Sequence, residues 1–196
     1  MGYRPRDERP GYHHVVTRGN NKQSIFLGDR DRAQFLRLLD GTARKHRWEV
    51  IAYCLMRNHY HLIVRIDAGG LSRGLCELNG AYALWFNGEH GRINHLFGRR
   101  YWNQHLADER HLLNAIRYVV QNPRRAGAAG ELEAHPWTSY RATIGLALSF
   151  ARFARDEVLA LFGPTPSNAV TKFSEFCAAL PPSARDPDGH VRRQPP

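Results

Sequence analysis

Lysine is almost missing from this chain: three residues against 25 arginines, in 196 residues with a formal net charge of +10. Cysteine is equally sparse. Cys54, Cys76 and Cys177 stand apart with no Cys-x-x-Cys among them, which argues against a disulfide framework or a zinc knuckle and fits a reducing compartment. No apolar run approaches the length of a bilayer span, and the opening MGYRPRDERP holds no signal-peptide core, so a cytoplasmic protein with no membrane partner is expected. Internal repeats are lacking too. What is present is an arginine-borne excess of positive charge. Guanidinium forks grip phosphate in pairs of hydrogen bonds, as ammonium groups do not, so the expected partner is a polyanion, nucleic acid above all. A hydrophobic share of 42% over this length suffices for one ordinary domain with a real core.

Along the chain, residues 1–11 read as a flexible basic leader. The stretch YHHVVT (12–17) has the β-branched content of a strand and ends at the turn-like Arg18-Gly19-Asn20-Asn21. A helix capped by Asp29 or Asp31 runs to about His46, with Phe35, Leu38, Leu39 and Thr42 at helical spacing. Two apolar strands fill Trp48–Ile66, folded back at Met56-Arg57-Asn58. A helix follows from Leu71 to about Asn87, then a loop over 88–100, a short strand over Tyr101–Leu106, and a helix from about Asp108 to Gln121 that Asn122-Pro123 stops. Residues 146–180 hold one or two small helices as an extension, and 181–196 have the composition of a disordered tail. Strand, helix, strand, strand, helix, strand predicts an α+β domain over 12–145: a ferredoxin-like or RRM-like antiparallel sheet with helices on one face and the other face open.

Two features carry chemistry. His59 and His61 lie two apart on a strand, so both project to one face, about 6–7 Å apart at the backbone, while Tyr60 points away. Two imidazoles on one pleat can grip a divalent ion if a third group completes the set; alone, the pair also reads as chance on a half-buried strand. On the helix 108–121, Leu112, Leu113, Ile116, Val119 and Val120 form the packed side, and Tyr118 falls nearly opposite with Asn114, Gln121 and Asn122. Asn122 is one turn beyond Tyr118, on its face. Tyr118 reads either as a surface tyrosine or as a nucleophile beside the two histidines and the Asn122 amide. Two imidazoles and an amide oxygen suit Mg2+ or Mn2+, manganese better. A tyrosine that attacks a phosphodiester keeps the energy of the cut linkage as phosphotyrosine, so the strand can be resealed without ATP.

The blocks YHHVVTRGNNKQSIF (12–26), AYCLMRNHYHLIV (52–64), AIRYVVQNPRRAGAA (115–129) and HPWTSYRATIG (135–145), in this order, are similar to the one-tyrosine HUH transposases. More narrowly, the chain resembles the REP-associated tyrosine transposases of bacteria over roughly residues 11–145. The resemblance implies His59 and His61 as metal ligands, Tyr118 as nucleophile and Asn122 as the polar residue completing the metal site. The implied activity is metal-dependent cleavage and rejoining of single-stranded DNA near hairpins through a 5′-phosphotyrosine, that is, DNA transposition and recombination. Three departures stand out: Arg57 where proline is usual, Tyr60 where an aliphatic is usual, and RINHLFGRRY (92–101) where the family has an LFQGRY-like segment.

Arg18, Arg57, Arg99, Arg100, Arg124 and Arg125 are candidate phosphate contacts, each equally readable as a solvated charge. His13 and His14 read as packing or hydrogen-bonding groups before ligands, and His95, His105 and His111 as surface groups. Tyr101 is the second candidate nucleophile but lies among aromatics. The four tryptophans read as core or as base-stacking platforms. Two other functions share these features: a non-catalytic RRM-like nucleic-acid-binding module, and a metal-dependent phosphodiesterase using activated water, which needs no Tyr118. Monomer and homodimer, with the tyrosine acting in its own or its partner's site, both stay open.

Overall fold

The computed structural model describes residues 7–98 and 100–179. The elements follow the expected order: β1 (Gly11–Arg18), α1 (Asp29–His46), β2 (Glu49–Met56), β3 (His59–Ile66), α2 (Leu71–Glu89) and β4 (Trp102–Leu106). The strands make one antiparallel sheet in the order β2-β3-β1-β4. This is the ferredoxin-like arrangement, produced by two β-α-β passes around a central hairpin.

Local chemistry explains the boundaries. At the start of α1 the Asp31 carboxylate accepts hydrogen bonds from the backbone N–H groups of Leu27 (2.6 Å) and Gly28 (3.1 Å), satisfying donors that a helix start leaves orphaned. The helix ends where Arg47 adopts a left-handed conformation, φ 56°. Entry into α2 requires φ 108° at residue 70, which glycine supplies. Phe35, Leu39 and Ala43 on α1 and Leu71, Leu75, Leu78, Tyr82 and Phe86 on α2 form buried stripes. They close over Val15, Leu55, Tyr60, Leu62 and Val64 on one sheet face.

The opposite face differs from expectation. It is not open but carries a second core, in which α3 (Glu109–Val120) lies over Ile51, Cys54 and Ile63 through Leu112, Ala115, Ile116 and Val119. A short turn of helix, α4 (Asn122–Arg125), continues past the proline that was expected to end the helical path, because Pro123 sits in its first turn, where a missing N–H costs nothing. Beyond it come α5 (Ser139–Thr143), α6 (Arg155–Ala160) and α7 (Pro166–Ala178), whose Tyr140, Val158, Leu159, Ala169 and Phe173 complete that core. Burial of Val158, Leu159 and Phe173 stabilises the fold by about 1.5–3 kcal/mol each, so residues expected as an extension are built into the molecule. The outer edge of β2 is also sheltered, since Val50 exchanges backbone hydrogen bonds with Arg152 and Ala154, and the Leu55 N–H donates to Trp137.

Part of the leader is anchored rather than flexible: the Glu8 carboxylate accepts from the backbone N–H of Gly70 (2.9 Å) and Ser72 (3.0 Å), and Asn103 donates to the Asp7 carbonyl at 2.7 Å. The rest of that leader, and the tail expected over 181–196, lie outside the described residues. No described helix is long and apolar enough to cross a membrane.

Candidate active site

Directly paired residues of neighbouring strands share a sheet face. His61 pairs with Cys54 on one side and Val16 on the other, His59 with Met56 and Arg18, and Val16 in turn with Trp102. His14, two residues before Val16, shares that face. His14, His59, His61 and Trp102 therefore stand together on the side that α3 covers. Tyr60 points to the other core, where its hydroxyl donates to Asn79 at 2.7 Å, as its position between the histidines requires.

The helix delivers Tyr118 to the histidines. Its ring centroid lies 5.6 Å from that of His61 and 5.9 Å from that of His14, and the rings of His59 and His61 are 5.1 Å apart. Asn122, buried one turn later, shares a side-chain hydrogen bond with His59. Arg125, on α4, holds its guanidinium 5.0 Å from the centre of the Tyr118 ring, a cation over a π face. Gln121, grouped with Tyr118 by helical spacing, turns instead to α7 and donates to the carbonyls of Cys177 (2.6 Å) and Ala179 (3.0 Å).

Burial sets the charge state of the imidazoles. It pushes His14 down to about 3 and His59 down to about 4, with the charges of His111 and Arg18 respectively adding to the effect. His61, only 2% exposed, is held well below the usual histidine range by burial, with His14, His59 and Arg18 adding to it. All three rings are neutral at pH 7, the form that offers a lone pair to a cation.

The hydrogen on His59 can be placed. Its Nδ1 lies 2.7 Å from Asn58 Oδ1, while Asn58 Nδ2 donates to the Lys22 carbonyl at 3.2 Å, which fixes the amide's orientation. An amide oxygen only accepts, so His59 carries its hydrogen on Nδ1 and keeps the Nε2 lone pair. Among the described residues no group of three or more His, Cys, Asp or Glu side chains could hold a metal. The donors that do converge are the imidazoles of His59 and His61 and the amide of Asn122. This neutral N/O set fits a divalent cation that fills its remaining positions with water or phosphate oxygens, and manganese better than magnesium.

The expected arginines divide. Arg18 ends β1 opposite His59, and Arg125 covers Tyr118. Arg57 is exposed at the hairpin turn, its Nε donating to Ser24 at 2.8 Å. Arg100 and Arg124 are exposed on the approach to β4 and on α4, and Arg99 lies outside the described residues. Tyr101 is remote from the cluster, sharing a 2.7 Å hydrogen bond with Ser72 on α2. His13 faces the α1–α2 side, within hydrogen-bond distance of Asn103 and the Arg9 carbonyl. His14, expected to pack before it ligates, does pack, but against the proposed ligand His61, with His14 Nε2 3.1 Å from His61 Nδ1. Trp102, 40% exposed, meets the His14 ring edge-on at 5.2 Å. The signal for both lay in strand register, since each falls on the face of His61 once β1 is paired with β3 and β4.

Residues 10–122 match the family model described as transposase IS200-like. Among solved structures, a REP-associated tyrosine transposase bound to a REP hairpin superposes with a TM-score of 0.63 at 18% identity, covering 79% of this chain and 96% of that one. A presumed transposase from Deinococcus radiodurans R1 aligns over 66% of this chain and 99% of its own at 14% identity, with a TM-score of 0.41. No curated protein sequence matches.

Proposed function

The chain belongs to the IS200-like transposase family, and from that membership and the site geometry we propose that it is a divalent-metal-dependent single-stranded DNA endonuclease and strand transferase that cuts near hairpins. Residues 12–145 form the catalytic domain, with Tyr118 as nucleophile and His59, His61 and Asn122 as the metal-holding set. A bound divalent cation would supply Lewis-acid polarisation of the scissile phosphate.

The chain's own groups do the rest. Tyr118 Oη attacks phosphorus, the bond from phosphorus to the 3′ oxygen breaks, and the phenolic proton ends on that leaving oxygen. The product is a 5′-phosphotyrosine and a free 3′-hydroxyl, and attack by another 3′-hydroxyl reverses the step and joins a new strand. Burial of His14 and His61 under α3 lowers the local dielectric, which strengthens electrostatic contacts there. Arg125 lies over the Tyr118 ring and Arg18 opposite His59, where their charge can meet the scissile phosphate, and the exposed Arg57, Arg100 and Arg124 can contact flanking phosphates. Trp102 offers an exposed ring on which a base beside the cut can stack.

The observation that carries this reading is the 5.6 Å approach of the Tyr118 ring to His61 within a single chain. That a fold neighbour was captured with a REP hairpin supports hairpin DNA as the substrate. The cover of α3 over the histidine face weighs against an RRM-like module, which needs that face for bases.

The test is incubation of a labelled single-stranded hairpin oligonucleotide with the protein and Mn2+, followed by denaturing electrophoresis. A protein-linked DNA band that disappears in Tyr118→Phe supports the proposal. Cleavage that survives the substitution points to the activated-water phosphodiesterase, and binding without cleavage to the non-catalytic module.

A further inference from the structure

His14 lies outside the proposed ligand set, yet it is buried beside it and touches one member. We propose that His14 is the positioning residue that makes His61 a metal ligand: its Nε2 accepts the hydrogen on His61 Nδ1, which leaves the His61 Nε2 lone pair free for the cation. This rests on the metal-dependent reading above.

The two nitrogens are 3.1 Å apart, so one of them carries the shared hydrogen, and only two arrangements exist. If His14 donates, the neutral His61 ring carries its own hydrogen on Nε2 and has no lone pair there to give. If His14 accepts, His61 is held in the same form that Asn58 imposes on His59. Asn58 can only accept through its amide oxygen, whereas His14 can do either, so the tautomer of His14 decides whether the pair of histidines works as a pair. The surroundings hold its ring in place: it meets His61 nitrogen to nitrogen, with centroids 5.3 Å apart and 27° between planes, and Trp102 and Tyr118 lie edge-to-face with it at 5.2 and 5.9 Å. Both rings are buried, with His14 6% and His61 2% exposed, so bulk water does not replace the contact. An outer partner of this kind fixes the orientation of a ligating imidazole and raises its basicity.

Two measurements on the full chain test this. In the metal-free protein, long-range proton–nitrogen NMR of the histidine rings reports which nitrogen of His61 is protonated; Nδ1 is expected, and Nε2 overturns the proposal. Mn2+ binding followed by electron paramagnetic resonance then compares the wild type with His14→Phe, His14→Gln and His61→Ala. His14→Phe keeps the ring and removes the acceptor, and is expected to weaken Mn2+ binding about 10–100-fold. His14→Gln restores an acceptor oxygen and is expected to recover most of that loss, which a purely structural role would not produce. Wild-type affinity in His14→Phe overturns the proposal while leaving the metal site standing. Equal Mn2+ binding by wild type and His61→Ala removes the metal reading itself, and the proposal with it. If His14→Phe does not fold, the ring NMR of the wild type decides alone.

Discussion

Acid should unfold the metal-free protein unusually early, and the three site histidines set how early. His14, His59 and His61 are held neutral, with His14 near 3 and His59 near 4, against 6.5 for a histidine in the unfolded chain. Between those values the unfolded state binds protons that the folded state refuses, so stability falls as pH falls, beginning near pH 6.5. One such histidine loses about 1.2 kcal/mol between pH 7 and 5.5, from the linkage relation with both pKa values in place. His14 and His59 together lose roughly 2.5 kcal/mol, a substantial part of the 5–15 kcal/mol that holds a typical domain together. His61 and His135, both lowered by burial, add to that loss. The depressed carboxyls of Asp7 and Glu77, both down to about 2, add their loss only below about pH 4.5, outside this window. The assay is urea unfolding at pH 8, 7, 6 and 5.5 in chelator, compared with His14→Phe. The wild type should lose at least roughly 2.5 kcal/mol from pH 7 to 5.5, and the variant about 1.2 kcal/mol less than the wild type. A wild-type loss below about 1 kcal/mol, or a variant with the full wild-type slope, would refute the assignment of neutral, buried imidazoles.

Three other outcomes are expected. Trp102→Ala should weaken single-stranded DNA binding by about 1–3 kcal/mol with the melting temperature nearly unchanged, as read by fluorescence anisotropy, because the ring is 40% exposed beside the site. Arg18→Ala should lower the slope of log affinity against log salt by about 0.7 on single strands, one phosphate contact's worth, in the same assay. Gly74→Ala should destabilise the fold by about 1–3 kcal/mol in thermal or urea unfolding, since the added methyl would sit 2.3 Å from Trp48 Cζ2 and 2.6 Å from Cη2.

The elements that periodicity controls were legible. β2 and β3 read as a hairpin because their residues are apolar nearly throughout and the turn interrupts them at Arg57-Asn58; α2 read correctly because Leu71, Leu75, Leu78, Tyr82 and Phe86 recur at one face. The covered second face was not legible. α3 was recognised as amphipathic, but periodicity says only that Leu112, Ile116 and Val119 bury against something, not which side of the sheet receives them. The same gap separated His14 from His61: they are 47 residues apart and meet only through the β1–β3 register. The proximity of Tyr118 to Asn122 was readable because a helix fixes it locally, whereas Gln121, three residues on from Tyr118, was misgrouped because its partners belong to α7.

That misgrouped glutamine explains what the C-terminal helices contribute to the candidate site. Tyr118 and Asn122 act together only if the chain between them keeps one rigid path across the junction of α3 and α4. Gln121 sits at that junction with φ −80° and ψ −6°, and its amide donates twice to the last carbonyls of the α7 region. One turn back, the Arg117 guanidinium lies 4.5 Å from the centre of the Phe176 ring. α7 thus grips the end of α3 through Arg117 and Gln121, and the packing of Phe173 against Tyr140 at 5.7 Å ties it to α5. A buried amide that lost both acceptors would cost about 1–3 kcal/mol, enough to favour a rearranged junction. The side chains that face DNA in the proposed reaction all precede residue 126, but the α3–α4 path that carries Tyr118, Asn122 and Arg125 is held in place by residues 173–179.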